Sequence, residues 1–379
     1  MDALVIGAGI TGAVIARQLA EKGQSVEIWD RRSHIAGNMY DHVDDYGIRV
    51  HDYGPHIFHT SDQEVYDYVK RFALWQQFKL ECGAQILGKT VFTPFNFETI
   101  DSFYSKEEGN RLKKKLNERY GHDSVSVLDV MNDKDPDISG YGKFLFEHDY
   151  SLYTAKQWGV SPDEIDPSVL TRVKINMNYG RGYFSDKWQM MPEKGYTCFI
   201  ESILNHPNIH VRLNVDALDH LMVQGNQILL DGNLLEKPLI YTGALDELFH
   251  CSEGPLPYRS LRFEWFHIEQ NSYQEMPVVA YPEAKGYTRI TEYKKLPVQN
   301  VKGTTCAKEY SLVYQPDKKQ EPYYPIPSAS TTAAYQKYAL LAERIPNLYP
   351  CGRLADYRYY NMDQALKRAL DYSLKIITN

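Results

Sequence analysis

No CxxC pair and no disulfide-like spacing occurs among the five cysteines (Cys82, Cys198, Cys251, Cys306 and Cys351), which stand far apart and are odd in number. A reduced compartment, the cytoplasm, is therefore the expected location. Lysine and arginine form no long run and the net charge is −7, so the electrostatic footprint of a nucleic-acid binder is missing. No apolar stretch is long enough to span a bilayer. The first one is cut by glycines and by Arg17, so neither a leader peptide nor membrane insertion is expected. The histidines form no tight ligand cluster apart from His56 and His59, which no cysteine joins, and no metal is expected. Internal repeats and low-complexity linkers are absent too.

What is present belongs to a globular protein. At 379 residues, 43 % hydrophobic and 24 % charged, the chain is long enough for two or three packed units and a large cofactor site. Thirty tyrosines against 14 phenylalanines give a surplus of rings bearing a hydroxyl, which suit polar, ring-stacking ligands and interfaces alike.

Residues 3–6 read as a buried strand, 11–22 as a helix stopped by Gly23, and 25–30 as a second strand. Between the first strand and the helix lies Gly7-Ala8-Gly9-Ile10-Thr11-Gly12, a GxGxxG match in the context that gives it meaning. Such glycines allow a tight turn and close approach of a pyrophosphate to the positive end of the helix, where Ile10 and Thr11 offer backbone amides. Asp30 follows Gly12 by 18 residues, at a strand end where a carboxylate can accept the hydroxyls of an adenosine ribose. The rest of the chain divides by pattern. Residues 61–174 read as a mostly helical insertion with a short hairpin near 85–92, and 175–192 with 258–327 as an antiparallel sheet domain. Segments 193–257 and 328–379 return to the cofactor domain begun by residues 1–60. The expected fold is α/β, a Rossmann-like FAD-binding domain with an inserted helical domain and an antiparallel β-sheet domain. In the last helix, from about Met362, a row of Leu366, Leu370, Leu374 and Ile377 is expected on one side.

After Asp30, the stretch Arg31-Arg32 and then Ile35-Ala36-Gly37-Asn38 favours FAD over NAD by continuing the site beyond the ribose. The segments His34-Ile35-Ala36-Gly37-Asn38 and Tyr53-Gly54-Pro55-His56-Ile57-Phe58-His59-Thr60 resemble the flavin site of bacterial UDP-galactopyranose mutases. Four further segments extend that resemblance in the family's order over nearly the whole chain. They are Tyr153-Thr154-Ala155-Lys156-Gln157-Trp158-Gly159, Tyr183-Phe184-Ser185-Asp186, Tyr287-Thr288-Arg289-Ile290, and the run from Gly352 to Tyr360.

The resemblance implies a mutase that interconverts pyranose and furanose forms of a nucleotide sugar, UDP-galactopyranose and UDP-galactofuranose first of all. Reduced FAD is its cofactor, the reaction passes through a covalent flavin N5–sugar adduct, and there is no net redox. It further implies a cytoplasmic homodimer serving cell-surface polysaccharide biosynthesis.

The same resemblance assigns residues. Arg172 and Arg289 match the family's two diphosphate-binding arginines, and His59 a histidine near flavin and sugar. Tyr183, Tyr324 and Tyr359 match tyrosines near the diphosphate and sugar, with Tyr323 beside Tyr324 as a rival for the inward position. Tyr153, Thr154 and Trp158 would form the nucleotide pocket, with Tyr150 as a further ring for the base. Asn361 stands where relatives carry Asp or Asn, before the last helix. Gly7, Gly9, Ile10, Thr11, Gly12, Asp30, Arg31, Gly37, Asn38, His56, Arg353 and Met362 would hold FAD. A purely structural role competes with each: a solvated loop charge for Arg172, a sheet-edge ion pair for Arg289, core packing for the tyrosines.

Three departures from the family pattern stand out. Ala36 replaces a usual glycine, Lys187-Trp188-Gln189 replaces Arg-Tyr-Gln, and Glu147-His148-Asp149-Tyr150 is unlike the usual sequence. They keep open a sibling mutase acting on another nucleotide sugar such as dTDP-fucopyranose. An FAD-dependent oxidoreductase and a non-enzymatic binding protein on the same fold also compete, because the N-terminal dinucleotide motif suits them equally well.

Overall fold

The computed structural model describes residues 1–122, 124–159, 173–318, 320–326 and 328–378. Its centre is a five-stranded, wholly parallel sheet in the order Ile209–Leu213, Val26–Asp30, Ala3–Ile6, Leu239–Tyr241, Leu348–Pro350. The central strand is a short apolar run with both faces covered, as parallel strands require. Side chains alternate along it. Ala3 and Val5 enter the core built by helices Ile10–Glu21, Tyr196–Leu204 and Met362–Thr378, whereas Leu4 enters the opposite core with Tyr338 of helix Ala329–Glu343. The first and last helices pack directly on each other. This is a Rossmann-like domain assembled from both ends of the chain. Between its strands Ile209–Leu213 and Leu239–Tyr241, the segments Leu221–Gln224, Gln227–Leu230 and Asn233–Leu234 form a small antiparallel sheet of their own.

A second, seven-stranded sheet runs Tyr324–Pro325, Tyr258–Ile268, Thr304–Val313, Arg289–Glu292, Val278–Ala280, Cys82–Ile86, Lys89–Thr93. All its pairings are antiparallel except Val278–Ala280 with Cys82–Ile86. Here the strand partners expected from sequence need correction. The hairpin near 85–92 belongs to this sheet, at its edge. Residues 175–192 supply it with no strand: Trp188–Pro192 pairs with Phe58–Thr60 and Trp75–Gln77, and Ile175–Asn176 pairs with Ser124–Val125. Alternation marks a strand but carries no information about its partner, which packing decides. The helices Phe97–Phe103, Lys106–Tyr120 and Pro136–Leu145 pack on the outer strands through Ala84, Ile86 and Val91 and share a third core.

The last helix begins at Met362 as expected, but its buried row differs. Leu366 and Leu370 are buried together with Ala369, Ser373 and Ile376, whereas Leu374 is 59 % exposed. Each four-residue step advances about 40° around an α-helix, so by Leu374 the row has turned about 80° away from Leu366. All five cysteines are free thiols. Among the described residues no helix is long and apolar enough to cross a membrane.

Candidate active site

A cleft opens where the parallel sheet meets the seven-stranded sheet. Its lining includes Gly7, Gly9, Ile10, Thr11, Gly12, Asp30, Arg31, Gly37, Asn38, His56, Arg353 and Met362, so the residues expected to hold a cofactor are gathered around one space. Asn361 lines it as well. Gly7 has φ +105°, and a Cβ there would sit 2.1 Å from Thr242 Oγ1; a Cβ on Gly12 would sit 2.0 Å from Gly7 O. Neither position has room for a side chain. Gly9 is the N-cap of helix Ile10–Glu21 without any side-chain cap, so the first-turn N–H groups are left for an anion in the cleft. Ala36, in place of the usual glycine, takes the same left-handed backbone, φ 74°, at a cost of about 1–2 kcal/mol.

At the strand end Asp30 accepts the backbone N–H groups of Ala8 (2.8 Å) and Arg32 (2.9 Å), which fixes its carboxylate at the cleft. Beside it Arg31 and Arg32 both bond to Glu321, at 2.8 and 3.0 Å, and Arg31 lies 3.7 Å from Glu247. Burial works against ionisation of Glu321, yet Arg32 and Arg31 hold its carboxyl below the ordinary range. Glu247, more weakly compensated by Arg31, is raised by burial. Glu321 belongs to the loop that leads into the seven-stranded sheet, so this cluster closes the cleft from the other sheet. Sequence offered no sign of it: two glutamates far along the chain meet Arg31 only after folding.

His56 lines the same cleft as the glycine turn. Its Nδ1–H donates to Gly54 O at 2.7 Å and its backbone N–H to His51 Nδ1 at 3.1 Å. Burial first, then the neighbouring His51, Arg353 and Arg289, push the His56 imidazole down to about 3. It is neutral at physiological pH and presents Nε2 as an acceptor. The influence of Arg353 and Arg289 on His56 ties the cleft to the second half of the site. Arg353 donates to Tyr360 O (2.6 Å) and Tyr323 O (3.3 Å), and its guanidinium lies over the ring of Tyr359, 5.2 Å from the centroid.

Arg289 begins a strand of the seven-stranded sheet, in register opposite Glu309. Its Nε and one terminal nitrogen both donate to Glu309 Oε2, at 2.8 and 2.7 Å, and the other terminal nitrogen makes no hydrogen bond among the described residues. Although burial opposes the charge, Glu309 holds the guanidinium firmly protonated. Gly54 supplies the positive φ, +93°, that turns the loop of His56 past this pair, while a Cβ there would make only an ordinary contact, 3.5 Å from Glu309 Oε2. Tyrosines surround the arginine. Tyr153 and Tyr324 interact electrostatically with both Arg289 and Glu309, Tyr183 lies near Tyr153, and the rings of Tyr324 and Tyr359 are 6.2 Å apart. Burial raises Tyr324 to about 12, so its hydroxyl stays a donor. Strand alternation settles the rivalry of neighbours: Tyr323 lines the cofactor cleft and packs 6.1 Å from Tyr53, while Tyr324 faces the Arg289 side.

The remaining expected residues are more scattered. Thr154 is buried in helix Ser151–Trp158 with Tyr153. Tyr150 stands in a π-helical turn, buried in the helical core, its hydroxyl donating to Val173 O at 3.0 Å and its ring 5.7 Å from Phe95. His59 does not line the cofactor cleft; its Nδ1–H donates to Asp186 at 2.8 Å and its ring stacks on Phe184 at 3.7 Å. Arg172 and the side chain of Trp158 lie outside the described residues. Glu309, Asp186 and Arg259 are partners that sequence reasoning missed. Arg259 is the largest fully buried side chain and donates to Ser311 Oγ at 2.8 Å. Nothing local marks them, because each acts through a residue far off in sequence.

The sequence model of UDP-galactopyranose mutases matches residues 149–359, and that of NAD(P)-binding Rossmann-like domains matches residues 5–72. A probable UDP-galactopyranose mutase of Klebsiella pneumoniae is 37 % identical over 97 % of this chain and 92 % of its own length. A dTDP-fucopyranose mutase of Escherichia coli is 36 % identical over 99 % and 98 %. The crystal structure of a reduced UDP-galactopyranose mutase shares the fold with a TM-score of 0.73 at 17 % identity, over all of this chain and 94 % of the other. A putative protoporphyrinogen oxidase from Exiguobacterium sp. 255-15 shares it with a TM-score of 0.62 at 12 % identity, over 100 % and 99 %. Fold alone would thus leave a mutase and an oxidase side by side, but identity of 33–37 % along 97 % of the chain does not: the chain belongs to the UDP-galactopyranose mutase family, a family of isomerases.

Proposed function

We propose that the protein interconverts UDP-galactopyranose and UDP-galactofuranose with reduced FAD bound in the cleft. The observation that carries this reading is the placement of Arg289: anchored on Glu309, with one terminal nitrogen unbonded among the described residues, it acts electrostatically on the very histidine that lines the cofactor cleft. A cation in that position can hold a diphosphate while its bond to the anomeric carbon breaks. The collapsed glycine turn, the uncapped helix start and the fixed Asp30 fit a dinucleotide such as FAD. When bound there, reduced flavin supplies the nucleophile for the anomeric carbon and is returned unchanged, so the isomerisation needs no electron acceptor.

The chain's own residues bind, orient and shield. Arg289 and Arg172 neutralise the departing diphosphate, and the hydroxyls of Tyr183, Tyr324 and Tyr359 donate to phosphate or sugar without adding charge. Tyr153, with Thr154 and Trp158, receives the nucleotide base, and Tyr150 backs that pocket. Asp186 accepts from His59 Nδ1–H and fixes the orientation of the ring beside the cofactor cleft, with Nε2 left to accept from the sugar. Gly7, Gly9, Ile10, Thr11, Gly12, Asp30, Arg31, Gly37, Asn38, His56, Arg353 and Met362 hold FAD, and Asn361 sits between cofactor and substrate. A cytoplasmic homodimer serving cell-surface polysaccharide synthesis completes the reading.

A second substrate is favoured by one finding: the dTDP-fucopyranose mutase of Escherichia coli covers this chain as fully as the UDP-galactopyranose mutases do. The deciding experiment incubates dithionite-reduced enzyme with UDP-galactopyranose and dTDP-fucopyranose and analyses the products. Furanose from the UDP sugar is expected. Turnover of the dTDP sugar alone would move the assignment to the sibling, and stoichiometric use of an electron acceptor would make the protein an oxidase.

A further inference from the structure

Helix Ser151–Trp158 carries Tyr153 and Thr154, and Lys156 lies three residues after Tyr153, on the same side of the helix. Its ammonium leaves the helix altogether. It donates to three backbone carbonyls of the turn that leads into Arg289: Tyr281 O at 2.5 Å, Ala284 O at 2.9 Å and Tyr287 O at 3.0 Å. An ammonium has three protons, and this turn takes all of them. Asp149, the one carboxyl acting electrostatically on Lys156, makes no hydrogen bond among the described residues. A half-buried charge satisfied by neutral carbonyls is a costly way to stabilise a helix, so its use is to be sought in what the carbonyls belong to. They precede Thr288, which bonds to Glu309 O, and Arg289, which is anchored on the Glu309 side chain. The next helical residue ties the helix to the neighbouring strand of the same sheet, for Gln157 O accepts from Ser311 Oγ at 2.6 Å on Thr304–Val313, the strand that pairs with Arg289–Glu292.

We propose that Lys156 is a positioning residue of the substrate site: by gathering the three carbonyls ahead of Arg289, it fixes the distance between the nucleotide-binding face of its helix and the diphosphate-binding arginine of the sheet. This rests on the mutase reading above. A substrate held at its base by Tyr153 and at its diphosphate by Arg289 spans the two elements, and displacement of one relative to the other by about 1 Å is enough to cost about 100-fold.

The electrostatics support a clasp that depends on protonation. Burial lowers Lys156 to about 8, opposed by Asp149, and raises Asp149 to about 7, opposed by Lys156. The other titratable or charged groups around it are the His148–Glu283 pair (3.2 Å), the phenols of Tyr281 and Tyr287, and Lys308 over the Tyr287 ring. Above the Lys156 value the amine keeps two N–H donors and must release one carbonyl, so the clasp is complete at lower pH and loosens as pH rises.

The test uses flavin-loaded, reduced wild type, Lys156→Met and Lys156→Arg. Flavin content, hydrogen exchange of segments 151–158 and 281–289, and kcat and KM for UDP-galactopyranose are measured between about pH 7 and pH 9. Lys156→Met should keep its flavin, exchange faster in both segments, and raise KM by about tenfold with a smaller change in kcat. Wild-type KM should rise above about pH 8, whereas that of Lys156→Arg, whose guanidinium does not titrate, should stay flat. Unchanged KM and unchanged exchange in Lys156→Met overturn the proposal, as does a wild-type KM that ignores pH in the same way as Lys156→Arg. If Lys156→Met does not fold, the pH comparison with Lys156→Arg decides alone. Should the wild type turn over no nucleotide sugar, the mutase reading fails by itself, and exchange in 281–289 still judges the clasp.

Discussion

At the scale of single residues, the site works by pairing each charge with a fixed partner and leaving one atom over. Arg289 gives two nitrogens to Glu309 and, among the described residues, keeps one. Replacing it by alanine should leave FAD bound and reduce kcat/KM by about 100-fold or more, roughly 3 kcal/mol of transition-state stabilisation. Steady-state kinetics on the flavin-replete variant checks this, and near-normal turnover would remove Arg289 from the site. The paired histidines give a pH prediction. Burial holds both His51 and His56 near 3, against an ordinary value of 6.5. Below that ordinary value the unfolded chain binds protons that the folded one refuses. Each histidine's contribution is therefore complete above about pH 6.5 and is lost as pH falls toward 3, by up to about 1.4 kcal/mol per unit. Urea midpoints measured across this range should fall with acid more steeply in wild type than in His51→Asn; parallel slopes would contradict the assignment.

At the scale of elements, the turn between Ala3–Ile6 and Ile10–Glu21 shows how unequal three glycines of one motif are. A Cβ on Gly12 meets the carbonyl oxygen of Gly7 at 2.0 Å, a collision with backbone that cannot swing aside, while one on Gly9 meets only Gly37 Cα at 3.7 Å. Gly12→Ala should thus unfold the apoprotein at lower temperature and purify colourless. Gly9→Ala should melt like wild type without cofactor and lose only affinity for FAD, where the anion needs the bare backbone. Calorimetry of apoprotein together with flavin absorbance separates the two, and equal melting points would show that the turn relaxes. Alternation explains another pair: Tyr323 and Tyr324, indistinguishable in sequence, face different sides, the first toward the cleft and the second toward Arg289.

At the scale of the whole molecule, the parts legible in sequence were those whose signal is local. The strand–turn–helix around Gly7 to Gly12, Asp30, the last helix from Met362 and the cleft-lining set were all readable because the residues that matter are neighbours in the chain or match a motif. Partners across long separations were not. Glu309 faces Arg289 from 20 residues away, Glu321 meets Arg31 across 290, and the hairpin Cys82–Thr93 finds its place beside Val278–Ala280. Alternation says that such segments are strands and is silent on register and company. Glu321 also yields a prediction at this scale, since it is the contact through which the seven-stranded sheet reaches the arginines of the parallel one. Glu321→Gln keeps the shape and removes the charge, and should speed the release of FAD several-fold with little loss of thermal stability, as followed by flavin fluorescence after dilution. Release at the wild-type rate would show that the loop closes the cleft without help from its carboxylate.

Glu321 and Tyr324 are separated by two residues, one bonded to Arg31 and Arg32 at the cleft and the other facing Arg289. Any ligand that stiffens one end of so short a segment must stiffen the other, and thermodynamic reciprocity makes the effect mutual. The nucleotide sugar should slow the loss of flavin, and the flavin should sharpen the grip on the sugar, by the same factor. A cofactor gripped through this segment would be held hardest while the site is at work.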